Sequence, residues 1–209
     1  MKEDTATIPK GTTVVIVDEF GKMGAPGKGR RYFGYALSVT KDPIGFAKLT
    51  AHNRAKNPGK EVKARDDTDK GHFKVINGAK KLRVSSAAFY IDKENPPRGW
   101  KNDKSSESMR KLFTKSLEKT LPEDGKVKVI VDHHTGYRGK VKSIVEGMST
   151  PEREVTGNEY NSSSGPYSDL LQTQDYITYA AAGKVEHNEP SLSDRIKMRF
   201  RKFIEGDLE

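Results

Sequence analysis

Three apolar segments of this chain each deliver a carboxylate. Val14, Val15, Ile16 and Val17 run into Asp18 and Glu19, and Val127, Val129, Ile130 and Val131 run into Asp132. A third segment, with Leu170, Leu171 and Ile177 at helical spacing, carries Asp175 in mid-pattern. Acids at the ends of buried strands, distant in sequence, can converge on one point of a sheet. Converging carboxylates repel one another, and a divalent cation makes such a cluster tolerable. Two strand-end acids and a helix acid are the donor set of a Mg²⁺- or Mn²⁺-dependent phosphodiester site. The expected metal ligands are therefore Asp18, Asp132 and Asp175.

Other residues extend this set. Glu19 is an auxiliary acid beside Asp18. Glu61 and Lys63 alternate, which predicts that they share one side of a short strand, with Glu61 completing the site and Lys63 meeting a phosphate. Asp92 follows an apolar run and is a further candidate ligand. His133 and His134 follow Asp132, so either could be a ligand or a proton shuttle near neutral pH. Gln172, Asp175 and Tyr179 share a helix face at i, i+3, i+7 spacing. The segment 21–31 is rich in Gly, Lys and Arg but is not a phosphate-binding loop of the Gly-x-x-x-x-Gly-Lys-[Ser/Thr] kind, because Lys28 is followed by Gly29. Its Lys28, Arg30 and Arg31, with Arg138 after the second acidic strand, are candidates for a nucleic-acid backbone. Each feature also has an ordinary explanation: turn chemistry at Asp18 and Glu19, a polar strand-to-loop junction at Asp132, a solvated helix acid at Asp175, and a hairpin tip at 21–31.

The elements that must position these residues follow from hydrophobic periodicity. Residues 13–18 and 32–39 read as two strands of a hairpin with a long tip, and 84–91 and 127–131 as further strands. Helices are expected just after Pro43, over 68–82 (Phe73, Ile76 and Ala79 in the stripe), over 105–120 and over 167–182, with Gly183 as its cap. A last basic helix opens at Ser191, with Leu192, Ile196, Phe200 and Phe203 as its stripe. The order strand, helix, strand over 84–131 predicts a parallel pair with a right-handed crossover. Residues 161–166 read as a flexible loop. No repeat and no boundary between domains is evident, so the expectation is one domain over 1–209.

At 209 residues the chain is long enough to bury a core, but 33% apolar against 32% charged residues predicts a small core among long polar loops. The absence of cysteine excludes disulfides, thiolate metal sites and cysteine nucleophiles, and fits an intracellular protein. No apolar run approaches the roughly 18 residues that span a bilayer, and the first ten residues lack an apolar signal core. A soluble, cytoplasmic protein is expected. A formal charge of +9 suits a polyanionic partner such as nucleic acid, or simply a solubilising surface.

With these residues in place, the chain resembles the domain-of-unknown-function 3800 family. That family opens with a strand ending Asp-Glu-Ser-Gly, matched here by Asp18, Glu19, Phe20 and Gly21, with Phe20 in place of Ser. It closes with a helix of the type Leu-Gln-x-Ala-Asp-hydrophobic-Ile, matched from Leu171 to Ile177 with Gln174 in place of Ala. Between them lie an acid after a late strand, like Asp132, and a Glu-x-Lys segment, like Glu61 to Lys63. The resemblance spans roughly residues 13–187. It implies an α/β fold, a ribonuclease H-like mixed β-sheet flanked by helices, with a nuclease-like acidic site. Asp132, His133 and His134 also look like the signature of the Asp-His-His phosphoesterases. The upstream Asp-x-Asp-Gly motif of those enzymes is missing, since Asp66, Asp67 and Asp69 lack the glycine. Two functional classes are thus expected: a metal-dependent nuclease or related phosphoryl-transfer enzyme, or a nucleic-acid-binding or regulatory protein with a degenerate site.

Overall fold

The computed structural model of the chain describes residues 8–22, 31–56, 60–98, 100, 106–133, 140–165, 167–204 and 206–207. Six strands form one sheet: β1 (Thr13–Gly21), β2 (Tyr32–Thr40), β3 (Ser85–Asp92), β4 (Gly125–Asp132), β5 (Arg153–Tyr160) and β6 (Arg199–Lys202). Their spatial order is β5-β4-β1-β2-β3-β6. The pairs β1/β2 and β2/β3 are antiparallel, whereas β1/β4, β4/β5 and β3/β6 are parallel. The helices are α1 (Pro43–Lys48), α2 (Ala51–Lys56), α3 (Asp69–Lys81), α4 (Ser106–Glu118), α5 (Val141–Glu146), α6 (Ser168–His187) and α7 (Ser191–Arg195), with a 3₁₀ turn at Ala64–Asp66.

β1 is buried on both faces because it is central. Alternation of side chains sends Val15 and Val17 to one face, into a core with Leu112, Phe113 and Leu117 of α4 and Val141 and Val145 of α5. Val14 and Ile16 go to the other face, into a core with Phe46, Ile76 and, from α6, Leu170, Leu171 and Ile177. Each such fully buried aliphatic side chain contributes roughly 1.5–3 kcal/mol. The sheet is therefore a middle layer, with α4 and α5 on one side and α1, α3 and α6 on the other. Among the described residues no helix is long and apolar enough to cross a membrane.

Several expectations need correction. β3 and β4 run the same way but are not neighbours, because the β1/β2 hairpin lies between them. Glu61 and Lys63 do not lie in a strand; the chain is irregular there and closes into the 3₁₀ turn. α6 does not stop at Gly183. It runs to His187 and ends where Asn188 turns left-handed, φ +55°, with the Glu189 N–H donating to the Gly183 carbonyl at 2.9 Å. The basic C-terminal helix is five residues long. Lys197, at φ +52°, breaks it, and the chain continues as the edge strand β6 beside β3. α2, α5 and β5 had no counterpart in the expected set.

Candidate functional site

The register of the sheet brings the first two acids together. Val17 pairs with Val131 across the parallel β1/β4 ladder, so Asp18 and Asp132 come next on both strands and stand side by side at one sheet end. Alternation places them on the face of Ile16 and Ile130, both of which lie in the core beneath α6. α6 crosses that face and brings Asp175 to the same cavity, of about 260 Å³, lined by Asp18, Glu19, Lys63, Asp132, His133 and Asp175.

Electrostatics confirm the crowding. Burial, then the charges of Asp132, Asp175 and Glu19, push the Asp18 carboxyl well above its usual range, against the nearby Thr178 hydroxyl. Burial also raises Asp132, against the His133 N–H, Lys63 and Ser162. Burial raises Asp175, against the Ala64 N–H and Lys63. The backbone hydrogen bonds are direct: the His133 N–H donates to Asp132 Oδ1 at 2.8 Å and the Ala64 N–H to Asp175 Oδ2 at 2.5 Å. Glu19 is exposed, and its N–H donates to Asp18 Oδ1 at 2.8 Å.

The Glu61–Lys63 segment joins this site by tertiary contacts. Lys63 Nζ sits 2.5 Å from Glu61 Oε1. Burial works against the Lys63 charge, yet the Glu61 hydrogen bond and the fields of Asp175 and Asp132 carry its pKa above the ordinary lysine value. Ser162 Oγ donates to Glu61 Oε1 at 2.6 Å. Gln172 of α6 ties the pieces together: its Nε2 donates to the Ser162 carbonyl at 2.9 Å and its Oε1 accepts from the Val62 N–H at 3.4 Å. His72 of α3, 4% exposed, holds the far side of the turn, with Nε2 2.7 Å from the Ala64 carbonyl oxygen. Neither Ser162 nor His72 was anticipated. Ser162 sits in a serine-rich run with no pattern, and the contact of His72 is made to a backbone atom, which leaves no sequence trace.

Phe20 and Gln174, the two departures from the expected pattern, are both buried in the core. Phe20 is buried against Gly34, where a Cβ would meet the Phe20 ring at 2.7 Å. Gln174 Nε2 donates at 3.0 Å to the carbonyl of Ala36, the residue paired with Asp18 across β1/β2.

The other candidates lie elsewhere. Asp92 is fully buried and engaged by Arg31, whose Nε donates to Oδ1 at 3.0 Å and NH2 to Oδ2 at 2.6 Å, and by Lys202 at 3.2 Å. Arg31 thus joins β2 to β3 as an ion-pair partner, with its side chain 45% exposed. Asp67 accepts from Tyr176 at 2.8 Å and Asn53 at 2.7 Å. Lys28, Arg30, His134 and Arg138 lie outside the described residues.

The donors are all carboxylate oxygens, the kind that suits Mg²⁺ or Mn²⁺ rather than a thiolate-bound ion. Among the described residues, however, no three His, Asp or Glu side chains are arranged closely enough round one point to form a metal site. The set fits in kind, and its closure round an ion is not preformed.

Fold and site together define an α/β protein with an acidic cleft at the end of a mixed, helix-flanked sheet. Two of the solved structures that match the chain illustrate this architecture. One is the ribonuclease HII of Archaeoglobus fulgidus, solved with PCNA, at 10% identity over 88% of this chain and 76% of that one, with a TM-score of 0.50. The other is the ribonuclease H2 of Pyrococcus horikoshii, at 12% identity over 86% of this chain and 74% of that one, with a TM-score of 0.52. At such identity the likeness is one of fold. No family model and no curated protein sequence matches the chain.

Proposed function

We propose that this protein is a divalent-metal-dependent nuclease, or a related phosphoryl-transfer enzyme, that acts on nucleic acid in the cytoplasm. The observation that carries the proposal is the side-by-side placement of Asp18 and Asp132 on adjacent parallel strands with Asp175 facing them from α6. These three would hold Mg²⁺ or Mn²⁺. A bound ion of this kind supplies an activated water and charge stabilisation at the leaving oxygen.

The chain's own residues prepare that chemistry. Asp18 holds its proton more tightly than an ordinary carboxylate because it is buried and its neighbours are anionic, so cation binding and proton loss are linked there. Lys63, fixed by Glu61 at the rim, offers a positive charge to a phosphate oxygen. Glu19 and Glu61 adjust the charge of the cavity. The fold shared with two ribonucleases supports a nucleic-acid substrate, as does the +9 charge. Kinship with the domain-of-unknown-function 3800 family is part of the same proposal. Incubating end-labelled RNA, DNA and hybrid substrates with Mn²⁺ should give cleavage that EDTA stops and that falls at least 100-fold in Asp18→Asn, since the acids act as a unit. Cleavage by Asp18→Asn at the wild-type rate would refute the assignment.

A second reading is nucleic-acid binding without turnover. It is favoured by the lack of a preformed metal-ligand group among the described residues. It predicts salt-sensitive binding and no divalent-dependent product.

A further inference from the structure

A second cavity, of about 300 Å³, opens beside the acidic one and shares Glu19, Lys63 and Asp175 with it. Its character is different. Lys22, Lys63 and Arg65 bring positive charge to its walls, and Tyr179 of α6 contributes an aromatic ring. The Arg65 side chain is 79% exposed, and its ion pair with Asp66 is long, at 3.6 Å. Tyr179 lies four residues after Asp175, hence one helical turn, about 5.4 Å, along the same face. Charge therefore changes sign along one groove, from the carboxylates at the strand ends to the cations beside Tyr179.

The tyrosine is held as a platform. Its ring is stacked on that of His72, with centroids 4.6 Å apart and planes at 25°. His72 is buried and fixed to the Ala64 carbonyl, while Tyr179 remains 40% exposed. A solvent-facing aromatic ring stacked on an anchored one has less rotamer freedom left to lose, so stacking a ligand on it costs less further ordering.

We propose that this second cavity is a subsite for one unpaired nucleotide adjoining the reacting phosphodiester, with its base on the Tyr179 ring and its phosphate between Lys22 and Arg65. Stacking on a protein ring needs a base whose face is free, which single strands offer and a continuous duplex does not. The inference rests on the nucleic-acid part of the proposed function and goes beyond it by naming single-stranded substrate.

Fluorescence anisotropy in EDTA separates the two, because binding then needs neither metal nor turnover. The probes are short labelled oligonucleotides: single-stranded DNA, single-stranded RNA and the matching duplex. Wild type should favour one or both single strands over the duplex. Tyr179→Ala should weaken single-strand binding by about tenfold, the loss typical of one stacked base. Tyr179→Phe should bind like wild type, and duplex binding should not change. Tyr179→Leu covers His72 without a stacking face; it should bind as weakly as the alanine variant and serves if that variant fails to fold. Arg65→Gln should reduce the slope of log affinity against log salt by about 0.7, one phosphate contact on a single strand. Wild-type preference for duplex, or a folded Tyr179→Ala or Tyr179→Leu that holds single strands at wild-type affinity, overturns the subsite. Tyr179-dependent strand binding in a protein that cleaves nothing would keep the subsite and discard the nuclease; cleavage with Tyr179-independent binding would do the reverse.

Discussion

Asp18 occupies a position where ionisation is opposed from several directions, by burial and by Asp132, Asp175 and Glu19. Its folded-state pKa lies above the ordinary 3.8. Between those values the folded protein holds a proton that the unfolded chain has released, so rising pH favours unfolding. Above the folded pKa the full penalty applies. Asp18→Asn keeps the shape and removes the charge, so in EDTA at neutral pH it should melt higher than wild type. A gain of about 1 kcal/mol would appear as about 2–4 °C in calorimetry for a chain of this size. The gain should vanish below about pH 4, where both forms are neutral, and Mn²⁺ should stabilise wild type but not the variant. An Asp18→Asn protein that melts lower at neutral pH would contradict the crowding argument. At this scale the acids were legible because each ends or interrupts an apolar pattern. Ser162 and His72 were not, since what they do is set by partners about 100 and 8 residues away, Glu61 and Ala64.

Among the elements, the one that matters most for the site is neither helix nor strand. Residues 61–66 are held in place by α6, through Gln172 and Asp175, and by α3, through His72. Gln172 is 5% exposed and satisfies two backbone groups, the Val62 N–H and the Ser162 carbonyl. Gln172→Ala leaves both buried without that partner, at a cost of about 1–3 kcal/mol. Urea denaturation should show that loss, and hydrogen exchange should show faster exchange at Val62 and Ala64 while β1 stays protected. Uniform loss of protection across the sheet would mean that the segment is not a separate unit. Periodicity revealed β1, β2, β3, β4, α3, α4 and α6 because their apolar residues follow one period. It failed for β5, where Val155 is the only fully buried aliphatic and Gly157 lies against Val129, leaving no strand-like run. It misread β6 because Ile196, Phe200 and Phe203 fit a helical stripe equally well, and the left-handed turn at Lys197 is written in no residue type that favours it. Gly183 failed as a stop because a glycine inside a long packed helix costs only about 1 kcal/mol.

Across the whole molecule, two kinds of carboxylate pull stability in opposite directions with pH. Asp92 is held far below the usual range, by the Arg31 hydrogen bond first, against the cost of burial, with the Glu94 N–H and Lys202 adding to it. Its contribution is present above the unfolded value of 3.8 and is lost as pH falls through its folded pKa. It joins β2, β3 and β6, since Arg31 precedes β2 and Lys202 ends β6. Asp18, Asp132 and Asp175 act the other way, for their raised values make the folded state less stable as pH climbs above 3.8. On these groups the metal-free protein should therefore be most stable near the unfolded carboxylate value of 3.8, falling off in stronger acid through Asp92 and towards neutral pH through the cleft. Asp92→Asn should cost about 2–3 kcal/mol at neutral pH, less than a fully enclosed pair because Arg31 and Lys202 reach solvent. That cost should shrink in strong acid. Melting curves across pH, with and without Mn²⁺, separate the two arms: the ion should lift the neutral side and leave the acid side unchanged. An ion effect of equal size at every pH would place its binding away from the cleft. If instead the metal-free protein were most stable at neutral pH, burial and neighbouring charge would not be raising the three cleft carboxylates in the folded chain.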